Sequence, residues 1–138
     1  MRVLLSLFCL SFLFACTADD RAPVVLEDIV ITEPRPGANM SAGYLTISNN
    51  RGEPLAITRV ESQQFGKIEI HETTTVDGVS RMRPLPALEV PANGSVVLER
   101  GGKHLMLMRP AEDLSRITLD FYAGEELLLS VDTEIAAD

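Results

Sequence analysis

The chain has 138 residues, of which 46% are apolar and 23% charged, the composition of one ordinary globular domain rather than of a disordered segment. Its formal net charge of -8 leaves no basic footprint of the kind a nucleic-acid binder needs. The acidity otherwise reads as solubility, with a secondary attraction for cations.

In chain order, Met1-Arg2 precede VLLSLFCLSFLFA, an apolar run of signal-peptide length and too short for a free-standing membrane helix. The stretch Leu13-Phe14-Ala15-Cys16 resembles a bacterial lipobox, in which cleavage precedes the cysteine and the thiol is lipidated. Residues 1–15 are therefore read as a lipoprotein-type signal peptide, Cys16 as the lipidated residue and 16–24 as a short tether. Phe14 is bulkier than usual for such a site, and Cys16-Thr17-Ala18 offers small-residue cleavage after Ala18, so simple secretion to the periplasm is the alternative. Thr17 stands where an Asp would favour retention at the inner membrane in signals of this kind.

Removing residues 1–15 takes away Arg2 and Cys9, which leaves 11 basic against 20 acidic residues, a net of -9. The domain proper, 25–138, then contains no cysteine. That excludes a disulfide framework, a Cys-ligated zinc site and a cysteine nucleophile. Outside the cytoplasm thiolates oxidise readily and thioethers less so, which makes methionine the fitting sulfur ligand there.

From Val25 onward the pattern is β. Candidate strands are Val25–Thr32, Ala42–Ser48, Leu55–Glu61, Lys67–Thr74, Val79–Pro84, Gly94–Glu99, Lys103–Met108, Arg116–Tyr122 and Leu127–Thr133. Turn signals such as Pro34-Arg35-Pro36-Gly37, Asp77-Gly78 and Gly101-Gly102 separate them. Short strands at regular spacing predict an all-β sandwich or Greek-key barrel. With no Trp and 5% aromatics, the core must be built from Val, Ile and Leu.

Alternation within the strands sorts the side chains. In Ile68-Glu69-Ile70-His71-Glu72-Thr73 the isoleucines share one face, and Glu69, His71 and Thr73 share the other. In His104-Leu105-Met106-Leu107-Met108 the leucines share one face, and His104, Met106 and Met108 the other. Both histidines of the chain, with Met106, thus lie opposite the expected core face. If Asp77-Gly78 closes a two-residue hairpin, Val76 faces Val79 and Thr73 faces Met82, placing Met82 one diagonal step from His71. His71 with Met82, and His104 with Met106 on a separate strand, then make a candidate four-ligand site. Imidazole plus thioether suits Cu(I) above other common metals. Met108 is read as a rim or supporting residue. Met40, in a loop-like stretch far from the motif, is read as structural.

The spacing, His71, ten residues, Met82, twenty-one residues, then His104-x-Met106, resembles the motif of the periplasmic copper chaperones called PCuAC. Its surroundings resemble the family too: GYLTISN, KIEIHE, VDGVSRMRPL and GGKHLMLM, across roughly Gly43 to Tyr122. The resemblance implies a cupredoxin-like Greek-key β-sandwich and one Cu(I) held near the surface by His71, Met82, His104 and Met106. It also implies delivery of copper to the dinuclear copper centre of cytochrome c oxidase, with an oxidase subunit or another copper carrier as partner. The chain departs from the family at Thr73, where many members have a second Met, and in its ending VDTEIAAD, without the His- and Met-rich tail of some members. One copper per protein is the expectation.

Two other functions fit the residues: a lipoprotein that sequesters copper for tolerance, and a structural β-sandwich whose metal site has decayed. An enzyme is not expected, because no Ser-His-Asp set stands out and both histidines are assigned to the metal. Zinc would need Glu69 and Glu72 as partners and would leave the methionine spacing unexplained. The predicted location is the periplasm, on a membrane through a lipid anchor only.

Overall fold

The computed structural model describes residues 22–136. The proposed leader, Cys16 and most of the tether lie outside the described residues. Twelve strands are present among the described residues: β1 Val24–Thr32, β2 Met40–Asn49, β3 Leu55–Ile57, β4 Arg59–Glu61, β5 Phe65–Val76, β6 Val79–Pro84, β7 Leu88–Val90, β8 Gly94–Leu98, β9 Lys103–Pro110, β10 Ile117–Ala123, β11 Glu126–Thr133 and β12 Ile135–Ala136. The fold is all-β, as the turn spacing predicts.

The main sheet runs β12-β1-β2-β9-β5-β6, with β8 also pairing β2. β2 shares its second edge between two partners: Met40–Gly43 pair β9 and Leu45–Asn49 pair β8. A three-stranded sheet, β11-β10-β4, and the short pair β3-β7 complete the sandwich. One apolar cluster fills the interior. Ile31, Leu45, Ile47, Leu105 and Leu107 from the main sheet meet Ile117, Leu119 and Phe121 of β10, together with Ile57, Leu88 and Val90. Every one of these side chains is essentially excluded from water, and each contributes roughly 1.5–3 kcal/mol to folding.

Among the departures from the sequence expectation, four have a clear local cause. The stretch Leu55–Glu61 is two strands, because the chain crosses between sheets at Thr58, whose N–H donates to Tyr122 O at 2.9 Å. The tether does not reach residue 24: Val24 is buried in β1, and Asn50 holds Ala22 O and Pro23 O through its side chain and backbone N–H. β2 begins at Met40, two residues earlier than alternation from Ala42 suggests. β7, three residues of Leu-Glu-Val after a Pro-rich stretch, is too short to announce itself, yet Leu88 and Val90 sit in the core.

The β5–β6 hairpin has the predicted register, with Val76 opposite Val79 and Thr73 opposite Met82. Asp77 and Gly78 take φ of 51° and 77°, the paired positive values of a type I′ turn. Buried Asn49 locks the far end of β2. Its Nδ2 donates to Glu53 O at 2.9 Å and Pro91 O at 3.1 Å, while Oδ1 accepts from Arg51 N–H at 3.0 Å.

Candidate metal centre

β5 and β9 are neighbours in one sheet, which brings the two halves of the motif side by side. His71 stands directly opposite His104, and Glu69 opposite Met106. The imidazole centroids are 5.9 Å apart, with the rings tilted 53°. On the other side of β5, Thr73 opposite Met82 carries the same face onto β6. His71, Met82, His104 and Met106 therefore share the outer face of the main sheet, across three adjacent strands.

The outer face is not uniformly wet. His71 is 8% exposed and His104 6%, whereas Met82 is 51% exposed. Met82, His104 and Met106 line an open depression of about 530 Å³, and His71 lies beside it against His104. Arg35, Arg100 and Glu33 also line this depression, with the Arg100 guanidinium 5.8 Å from the centre of the Tyr44 ring.

Hydrogen bonds fix the orientation of both rings. His71 Nε2 lies 2.8 Å from Glu69 Oε2, and His104 Nδ1 lies 3.2 Å from Gly102 O. The carboxylate and the carbonyl can only accept, so these nitrogens carry the protons. The lone pairs are then on His71 Nδ1 and His104 Nε2. His71 Nδ1 is buried and has no hydrogen-bond partner. An orphaned imidazole nitrogen beside a second oriented imidazole and two thioethers is a donor set for a soft cation. The Lys67 ammonium, at 2.5 Å, and His71 together hold the Glu69 carboxyl below the usual carboxylate range, so it stays an acceptor into mildly acidic solution.

Glu72 belongs to the opposite face. It binds Arg83 at 2.7 Å and Lys103 at 3.4 Å, and these cations hold its carboxyl below the usual range. A zinc site built with Glu69 and Glu72 therefore has no common face to occupy. Among the described residues no three His, Cys, Asp or Glu side chains gather into a metal-sized cluster.

The model of the family described as "Putative lipoprotein LpqE-like" matches residues 24–133. The chain belongs to the LpqE-like family. Among curated relatives of this LpqE-like chain, the uncharacterized protein RP573 of Rickettsia prowazekii (strain Madrid E) is 30% identical over 103 residues, covering 71% of this chain and 56% of RP573. The chain thus matches little more than half of that relative's length. The copper-bound PCuAC domain from PmoF2 aligns with a TM-score of 0.63 at 18% identity, over 84% of this chain and 94% of that one. The solution structure of apo-DR1885 from Deinococcus radiodurans aligns with a TM-score of 0.61 at 20% identity, over 100% of this chain and 95% of that one. The LpqE-like chain has the cupredoxin-like β fold of PCuAC domains, as the resemblance of its motif to that family implies.

One residue of this face escapes the motif. Met40, read from sequence as structural and remote, is the first residue of β2, pairs with Met108 and lines the same depression as Met82 and Met106. The signal was available: Ser41, Gly43, Leu45 and Ile47 alternate into the core, which sends Met40 outward with Ala42 and Tyr44. Met108 lies on the same face but outside the lining of the depression.

Proposed function

We propose that this protein is an extracytoplasmic copper-handling lipoprotein, anchored through Cys16, that carries one Cu(I) on His71, Met82, His104 and Met106. The observation that carries the reading is the gathering of the four motif side chains on one sheet face. There both imidazoles are oriented by hydrogen bonds, and one ring nitrogen has no partner. The copper held by a PCuAC domain of the same fold supports it. Copper is cargo in this reading, not a cofactor. Electron transfer at a blue-copper centre would need a Cys ligand, which residues 22–136 lack.

Delivery follows from ligand exchange. Buried imidazoles on one side and an exposed thioether on the other give the site one open flank. An acceptor's ligands can replace Met82 first and the histidines last. The net direction is set by the acceptor's greater affinity. The acceptor we propose is the dinuclear copper centre of cytochrome c oxidase. Protons compete with the metal for the imidazoles, so Cu(I) affinity should fall as pH drops from neutral to mildly acidic. Affinity that is flat over that interval would count against histidine ligation.

The decisive measurement is X-ray absorption on the Cu(I) protein under reducing conditions, comparing wild type with Met82→Ala and Met106→Ala. Each variant should lose sulfur scattering. A wild-type spectrum without a sulfur shell would overturn the site. Oxidase activity in a deletion strain at low copper then tests delivery. Normal oxidase combined with copper sensitivity would favour sequestration instead.

A further inference from the structure

The sequence contains five methionines. Apart from Met1, every one lies on the same face of the main sheet. Met106 and Met108 alternate outward along β9, Met40 stands opposite Met108, and Met82 stands opposite Thr73 beside His71. Among the described residues the buried core contains no methionine. Methionine is ordinarily a filler of core gaps, so its absence from the interior and its concentration on one outer face point to the thioethers themselves as the useful groups.

Met40 is the member that the four-ligand reading leaves unused. It is 48% exposed, close to the exposure of Met82. Ala42 lies opposite Met106, which puts Met40 one diagonal step from Met106. Diagonal neighbours on a sheet face sit about 7–8 Å apart, within reach of long side chains. Met40 and Met82 both line the depression, on β2 and β6, strands that flank the β9–β5 pair carrying the histidines. A single exposed Met on a surface needs no explanation. One that shares a depression with two other thioethers and an oriented imidazole does.

Resting on the Cu(I) reading above, we propose that Met40 is a third thioether of this centre. It takes Cu(I) at the mouth of the depression and exchanges it with Met82 and Met106 as copper enters and leaves. Thioethers are neutral and unprotonated, so a relay of them passes a monovalent soft cation without coupled proton movement. Thr73, opposite Met82, supplies only a hydroxyl on that flank. Met40 supplies the missing soft donor from the opposite one.

The test uses the protein purified as the cell processes it, labelled with ¹³C at the methionine methyls and titrated with Cu(I) under reducing conditions. The Met40 methyl signal is expected to move within the first equivalent, in step with those of Met82 and Met106. Met40→Leu keeps the volume and the apolar character of the side chain, so the fold should persist. It should hand Cu(I) to a soluble chelator several-fold more slowly than wild type. A Met40 methyl that stays still until the first equivalent is consumed, or wild-type hand-over by Met40→Leu, overturns the proposal. If the Met82 and Met106 methyls move while Met40 does not, the four-ligand reading survives alone. If none moves, both fall.

Discussion

Glu69 divides its two carboxylate oxygens between neighbours, Oε1 towards Lys67 and Oε2 towards His71. The second contact decides which imidazole nitrogen is left with a lone pair, so in the proposed centre Glu69 would position a ligand without being one. Removing such a partner commonly costs metal affinity by about 10–100-fold. Glu69→Ala should weaken Cu(I) binding by roughly that factor while the fold persists, and Glu69→Gln, whose carbonyl still accepts from His71, should recover most of the loss. Competition titration against a Cu(I) chelator measures both. Equal affinity in all three proteins would remove Glu69 from the centre. At this scale the sequence was partly legible. Strand alternation places His71, His104 and Met106 on the outer side, and the Asp77-Gly78 turn predicts the Thr73–Met82 pairing. That His71 and His104 face each other was not legible, because nothing in a local pattern says which strands become neighbours in a sheet.

β2 shows how an element aligns the site without supplying the motif. Gly43 faces the core opposite Leu105, and a Cβ there would meet Ile31 Cδ1 at 3.0 Å, Leu105 Cβ at 3.1 Å and Leu107 Cδ1 at 3.2 Å. The missing side chain lets β2 lie close over the interior side chains of β9, with Met40 and Ala42 held against Met108 and Met106 on the other face. Gly43→Val should overpack this interior and destabilise the protein by about 1–3 kcal/mol, visible as a lower urea midpoint. An unchanged midpoint would mean that the sheet relaxes around the added methyls. Strand existence was readable from alternation and turn residues, and the failures have physical causes. Leu55–Glu61 looks continuous because both halves alternate. Leu55 and Ile57 are buried, and so is Val60, three residues on rather than two. That broken period at Thr58 marks the crossing between sheets. β7 is too short to show a period at all.

At the scale of the molecule, the carboxylates that folding perturbs among the described residues all move in one direction. Lys67 and His71 lower Glu69, Arg83 and Lys103 lower Glu72, and the Ser115 N–H lowers Asp113. A carboxyl whose folded pKa lies below its unfolded one adds stability above the unfolded value and loses it as pH falls through the folded value. The contribution of these three groups should therefore be level around neutrality and be lost in acid, as pH falls from the usual carboxylate range through their lowered values. These groups are at the surface, so added salt should shrink the effect. Thermal melts at pH 3 and pH 7, with and without salt, check this, and a protein equally stable at both would contradict it. The all-β class and the apolar core followed from composition and periodicity. The return of β12 beside β1, in parallel at Ile31 and Ile135, did not, because it depends on a two-residue contact between the two ends of the folded chain.

β6 ends the main sheet, pairs only with β5 and has every residue exposed. Its ladder can open without disturbing the interior, which makes it one of the least protected parts of the fold. Met82 rides on that strand, while His71, His104 and Met106 are held in the central strands. In the proposed Cu(I) centre one donor would be mounted on a hinge-like flap and three on a frame, so metal occupancy and the closing of β6 would be linked equilibria. Backbone amides of Val79–Pro84 should exchange with deuterium quickly in the metal-free protein and slow markedly once Cu(I) binds, while those of β10 change little. Exchange in β6 that ignores the metal would mean that Met82 does not hold it.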